Sequence, residues 1–257
     1  MRNMKLRRFT ATALLIGIIV LMGMVPYLGY IPLGPIKLTL ICIPVIIGTL
    51  ALGLGPGLVL GLFFGITSFI QIWYPGDWLG LQLINISLIK SIAVIFIPRL
   101  MVPVVTYYVW KLLETDLEIY IEVALFALFT VLGIFMSWVF FIPALIMLII
   151  FVFLQKVPEI KVNYGIAALF GSLTNTVFFL GAIYVLYLNE PAFFTVAEQL
   201  GTTVDKLGYF LSGIALANGL PEAVLALFLS ILILVPLRVS GLAAEAFIKD
   251  NGKNMDK

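Results

Sequence analysis

Asn218-Gly219-Leu220-Pro221-Glu222-Ala223 sits inside a long apolar run in which Glu222 is the only charged residue between Leu207 and Leu237. A run of this length and character is that of a membrane-crossing helix, which takes about 20 apolar residues. An ionised side chain at the centre of such a helix costs about 2.5–3.5 kcal/mol on insertion scales. A chain that keeps one there either pairs it or presents it to something. Arg99 poses the same question in a second apolar run, and both residues directly follow a proline, as Pro98-Arg99 and Pro221-Glu222. Asn218 and Glu222 are four residues apart and share one helix face. Pro221 has no N–H to give the carbonyl of Ala217, and Pro98 likewise frees Val94. Helices broken in this way are tolerated at membrane depth where the backbone is buried in protein or lines a cavity.

Working outward, the whole chain has this character. Of its 257 residues 63% are hydrophobic and 11% charged, with a mean hydropathy of +1.19. Water-soluble domains average about 45–50% apolar and about 25% charged residues. This composition specifies a multi-pass membrane protein embedded in a lipid bilayer. The net charge of +2 gives no basis for a nucleic-acid partner. Histidine is absent, and Cys42, the one cysteine, lies in an apolar run as a small packing residue. That excludes a disulfide framework and a His/Cys metal site, so neither metal nor cofactor is expected. An intramembrane enzyme would need a cluster of His, Cys, Asp or Glu, and the sequence has none, so the chain is read as a non-enzyme. No GxxxxGK[ST] sequence occurs, so any ATP hydrolysis belongs to a partner.

Charge-free stretches predict one membrane domain over 1–257, with core helices at about 9–28, 38–52, 56–74, 84–112, 164–188 and 209–236. The basic start, with Arg2, Lys5, Arg7 and Arg8, leads into the first span and is read as part of it rather than as a signal peptide. Prolines 26, 32 and 35 mark an exit loop, and Gly53-Leu54-Gly55-Pro56-Gly57 a tight turn between helices. Trp73, Tyr74 and Trp78 are expected as interfacial anchors, and Lys90 to snorkel. A polar segment after 188 is expected to carry a short surface helix, and Lys249 to Lys257 to form a disordered tail. The apolar stretch at about 119–155 is read as an inserted hairpin, which brings the total to about eight membrane helices. With it, Lys111, Lys156, Lys161, Arg238 and the terminal lysines share the side of the basic N-terminus. Both termini are then cytoplasmic by the positive-inside rule.

Gly171-Ser172-Leu173-Thr174-Asn175-Thr176 is a dense polar cluster in another charge-free span. Ser and Thr hydroxyls can bond back to their own helix, whereas Asn175 calls for an outside partner. Arg99, Asn175, Asn218 and Glu222 are therefore the candidate ligand-binding residues. The bland alternative is an Arg99–Glu222 salt bridge that ties two helices together, with the polar cluster as interhelical glue. Ala13 and Gly17 form a small-xxx-small pair that would let another helix approach.

The stretch Gly171 to Val177, followed by Asn218 to Ala223, resembles the last two helices of the substrate-binding S components of energy-coupling factor (ECF) vitamin transporters. Lys37-Leu38-Thr39-Leu40-Ile41-Cys42-Ile43-Pro44-Val45-Ile46-Ile47-Gly48, with Gly55-Pro56 and Gly65-Ile66-Thr67-Ser68, resembles the family's second and third helices, and Pro98-Arg99 its fourth. The resemblance implies an all-α, six-helix membrane bundle, here with the extra hairpin. It implies a vitamin or vitamin precursor bound near the outer side. It also implies docking onto a transmembrane coupling subunit served by two ATPases. The family's helix 1 contact motif, Ala-xxx-Ala, falls on Ala13 and Gly17. A guanidinium suits a ligand carboxylate, so pantothenate ranks first. Folate, which would draw on stacking from the Trp73–Trp78 region, and riboflavin rank behind. The competing readings are a stand-alone transporter or channel, and a structural assembly protein holding an internal Arg–Glu pair.

Overall fold

The computed structural model describes residues 2–33, 36–113 and 163–239. The hairpin expected over 119–155 and the tail lie outside them. Helix α1 spans Arg2–Met24. Its hydroxyls are satisfied within the helix, Thr10 donating to the Leu6 carbonyl (2.9 Å) and Thr12 to that of Arg8 (2.8 Å). Past its basic first turns the helix is therefore apolar towards its surroundings, and only 11% of its spanning window is buried.

The chain then differs from the expected loop and helix. Strands β1 (Tyr30–Leu33) and β2 (Ile36–Thr39) form an antiparallel ribbon with Tyr30 opposite Thr39. Helix α2 covers only Cys42–Leu52, not 38–52. Pro44 explains the late start. In a helix begun at 38 its ring would collide with the carbonyl of Leu40, whereas in the first turn it is harmless. At 1.5 Å per residue α2 is about 16 Å long, roughly half a bilayer core. It survives as a short helix because every residue in it is buried by its neighbours.

Gly53 turns the chain in a left-handed conformation (φ 93°) into α3, Leu54–Ile70. The glycine stripe of α3 is packing surface. A Cβ on Gly61 would lie 2.6 Å from the Arg99 carbonyl oxygen, and one on Gly65 2.7 Å from the Phe96 ring; one on Gly57 would strike Thr49 and Pro103. An irregular turn, extended at Tyr74, leads to α4 (Trp78–Ile86), whose first turn is capped by Asp77 accepting from Gly80 N–H at 2.9 Å. Trp73, Tyr74 and Trp78 are exposed.

The single helix expected over 84–112 is two. Extended backbone at Ser87 (φ −160°) separates α4 from α5, Leu88–Leu113. Helix α6 follows as Asn163–Tyr187, and α7 (Pro191–Gln199) is the short surface helix expected there. Lys90 does not snorkel freely. Its Nζ donates to the Leu186 carbonyl (2.9 Å) and pairs with Glu190. The last span begins as α8 (Leu207–Ile214), widens into a π-helical turn at Ala215–Gly219 and continues as α9, Leu220–Val239. Pro221 is the cause. Without its N–H the ordinary four-residue ladder fails at Ala217, and the helix takes up one extra residue.

Among the described residues five helices are long and apolar enough to cross a membrane, with α2 as a shorter sixth. The fold is an all-α membrane bundle, and its described residues include a two-stranded ribbon. Its apolar interior has one main cluster around α2, with Ile46, Leu50, Leu60 and Phe64. A second gathers where α4, α6, α7 and α8 meet, with Leu83, Leu180, Phe193 and Leu211.

Candidate ligand-binding site

Pro98 leaves the Val94 carbonyl without its helix donor, and the next residue fills the gap: Arg99 Nη1 donates to Val94 O at 3.3 Å. The guanidinium then lies between two rings, 5.4 Å from the centroid of Phe64 on α3 and 4.8 Å from that of Phe179 on α6. Aromatic faces attract a cation of this kind. Arg99 is 7% exposed, and its Nε has no hydrogen-bond partner.

Glu222, 3% exposed, is held from the other side. Its carboxylate accepts the backbone N–H of Thr39, at the end of β2, and the Thr176 hydroxyl at 3.1 Å. The π-helical turn brings this about. Gly219 presses against Thr176, where a Cβ would lie 3.0 Å from Cγ2. The interhelical salt bridge offered as the bland reading does not form, since Glu222 is committed to Thr39 and Thr176 and Arg99 to Val94 and two rings.

All four candidates nonetheless face one space. Arg99, Asn175, Asn218 and Glu222 line one partly open cavity. Asn175 is 4% exposed, and its Oδ1 has no partner. The sequence reading missed several lining groups. Tyr30 and Ser68 are joined at 2.8 Å, Gln71 donates to the Gly23 carbonyl at 2.9 Å, and Thr39, Thr176 and Phe179 line the wall. Ser68 and Gln71 are three apart at the end of α3, a spacing that signals a shared face; Tyr30 arrives only through the ribbon. Trp73 and Trp78 contribute no ring to this lining. Ala13 and Gly17 are far from it in role. They lie exposed on α1, and a Cβ on Gly17 would meet nothing within 4 Å. No group of His, Cys, Asp or Glu able to hold a metal occurs among the described residues.

The tether at Glu222 makes a stability prediction. Glu222→Leu removes the acceptor of the buried Thr39 N–H and is expected to destabilise the fold by about 1–3 kcal/mol. Glu222→Gln keeps an acceptor oxygen and should cost less than half as much. Thermal unfolding of both variants in detergent measures the difference; equal losses would mean that the tether is not what holds the ribbon.

A family model for the ECF transporter, substrate-specific component, matches residues 7–134. The chain belongs to this family. As an ECF substrate-specific component it is a multi-pass membrane protein and a transporter subunit. The pantothenic acid transporter PanT of Lactococcus lactis subsp. cremoris (strain MG1363) is 26% identical over 200 residues, which cover 76% of this chain and 75% of that protein.

Proposed function

We propose that this S component captures pantothenate, the anion of pantothenic acid, for ATP-driven uptake. One observation carries the reading. A buried guanidinium opens onto the cavity, and the nearby carboxylate does not neutralise it. A buried charge is costly unless paired, and a ligand carboxylate supplies both the charge and the fork-shaped acceptor that Arg99 lacks. Asn175 Oδ1, also without a partner, asks for a ligand N–H or O–H. Pantothenate has a carboxylate, an amide N–H and two hydroxyls. Riboflavin has no carboxylate to offer. Folate's aromatic rings find few stacking partners, because Trp73 and Trp78 stand outside the lining. The likeness to a pantothenic acid transporter points the same way.

In this reading the cavity faces outward and both termini lie in the cytoplasm. Helix α1 docks through Ala13 and Gly17 on a membrane coupling subunit that works with two ATPases. A structural assembly protein is the weaker reading because its Arg–Glu pair is not made. Isothermal titration of the purified protein is expected to show saturable one-to-one binding of pantothenate and none of folate or riboflavin. Saturable binding of riboflavin without pantothenate would overturn the proposal.

A further inference from the structure

Helix α4 stands between two breaks in the helical backbone. Asp77 before it and Ser87 after it are both extended, and Gly76 has a positive φ of 108°. Neither neighbouring helix therefore carries it along. Leu79 and Leu83 are its buried side chains, while Trp78 and Leu81 lie exposed. Leu79, Gly80 and Leu83 share one helix face, and that face lines the ligand cavity. A segment so short and so little buried opens locally more readily than the long helices around it. Its place as a cavity wall calls for a further tie.

Tyr187, at the end of α6, supplies it. The residue is fully buried and does not belong to the cavity lining. Its hydroxyl donates to the Leu83 carbonyl at 3.1 Å, with the Ser87 carbonyl at 3.3 Å as a second acceptor. The same oxygen meets the Ser91 hydroxyl at 2.8 Å. One phenol group thus joins α6 to the last turn of α4, to the extended joint and to the first turn of α5. The ring is itself held in place. Its centroid lies 5.6 Å from that of Phe193 on α7 and 5.9 Å from Lys90 Nζ. Lys90 in turn is fixed by the Leu186 carbonyl and Glu190.

Resting on the reading of the site as a pantothenate site, we propose that Tyr187 is a positioning residue for ligand binding. It touches no ligand. It holds α4 against α6, so that Leu79, Gly80 and Leu83 stand as a preformed wall before the ligand arrives. A protein whose wall is in place only part of the time binds more weakly by that fraction. Phenylalanine at 187 keeps the ring and its packing and loses the hydroxyl alone. The Leu83 and Ser87 carbonyls still accept the backbone N–H groups of Ser87 and Ser91, each at 3.0 Å, so no buried acceptor is stranded. The loss therefore falls on the placement of α4 and not on the stability of the bundle.

The test compares the purified wild-type protein with Tyr187→Phe in three measurements. They are pantothenate titration, thermal unfolding, and backbone amide hydrogen exchange without ligand. Affinity is expected to fall about 3- to 10-fold, the range to which one net hydrogen bond converts. Exchange in α4 should quicken at least about threefold while α5 and α6 keep their rates. The unfolding temperature should stay within about 2 °C. Unchanged affinity or unchanged exchange in α4 overturns the proposal while leaving the vitamin assignment standing. So does exchange that quickens throughout α5 and α6 with a lower unfolding temperature, which would make Tyr187 a general packing residue. If the wild-type protein itself does not bind pantothenate, the vitamin assignment fails. The exchange rates then decide by themselves whether Tyr187 fixes the wall, and equal rates in α4 would show that it does not.

Discussion

Arg99→Met is expected to abolish high-affinity ligand binding and to leave thermal unfolding unchanged or raised. The two halves follow from one geometry. In the folded protein the guanidinium has no acid partner among the described residues; it holds one long hydrogen bond to Val94 O and rests between Phe64 and Phe179. Removing it therefore strands no buried carboxylate, because Glu222 is already satisfied by Thr39 and Thr176. Methionine fills the same slot between the rings, and replacing buried charge by apolar side chains of similar volume is often neutral or stabilising. The bound state is different. A ligand carboxylate desolvated beside Arg99 in the cavity would lose its counter-charge, a loss of about 2–5 kcal/mol, or about 30- to 5,000-fold in affinity. Arg99→Lys should recover part of that, since lysine keeps the charge but not the planar fork. Titration and thermal unfolding on the same preparations give both quantities. A fall in stability with unchanged affinity would mean that Arg99 is a structural residue.

Ala13→Leu is expected to have the opposite signature, with intact ligand binding and ATP-driven uptake reduced at least tenfold. Ala13 and Gly17 lie on one face of α1, exposed, with open space where a Gly17 side chain would be. Neither lines the cavity, so a substitution there cannot act on the ligand directly. Helices in lipid associate through close backbone approach over small residues rather than through a hydrophobic drive. If the coupling subunit docks there as proposed, a leucine in that groove would hold its helix away. Uptake of labelled pantothenate into proteoliposomes that contain the coupling subunit and both ATPases, set beside titration of the isolated variant, separates the two steps. Full uptake by the variant would show that this face of α1 is not where the coupling subunit docks.

The membrane class and the order of the long spans were legible without coordinates, because a bilayer demands about 20 apolar residues per crossing and leaves few other ways to write them. The proline-freed carbonyls were legible too, although α5 runs unbroken through Pro98. Pro98 and Pro221 announce carbonyls without donors, and the structure answers the first with Arg99 itself and the second with a π-helical turn. Hydrophobicity could not distinguish the Tyr30–Thr39 ribbon from the start of a helix, since Ile31, Leu33, Ile36 and Leu38 are apolar in either conformation. Only the position of Pro44 hinted at it. The break at Ser87 likewise leaves no mark in hydropathy.

The sequence by itself determined which charged and amide side chains a membrane chain must account for, since each costs too much in lipid to be incidental. Tertiary structure alone decided how they are used. Arg99 and Glu222 lie more than a hundred residues apart in the chain, and their spacing carries no information on whether they touch. A ribbon residue, Thr39, reaches Glu222 first and occupies it. Hydrogen bonding is short-ranged and saturable, so a carboxylate committed to one partner leaves the guanidinium across the cavity for another.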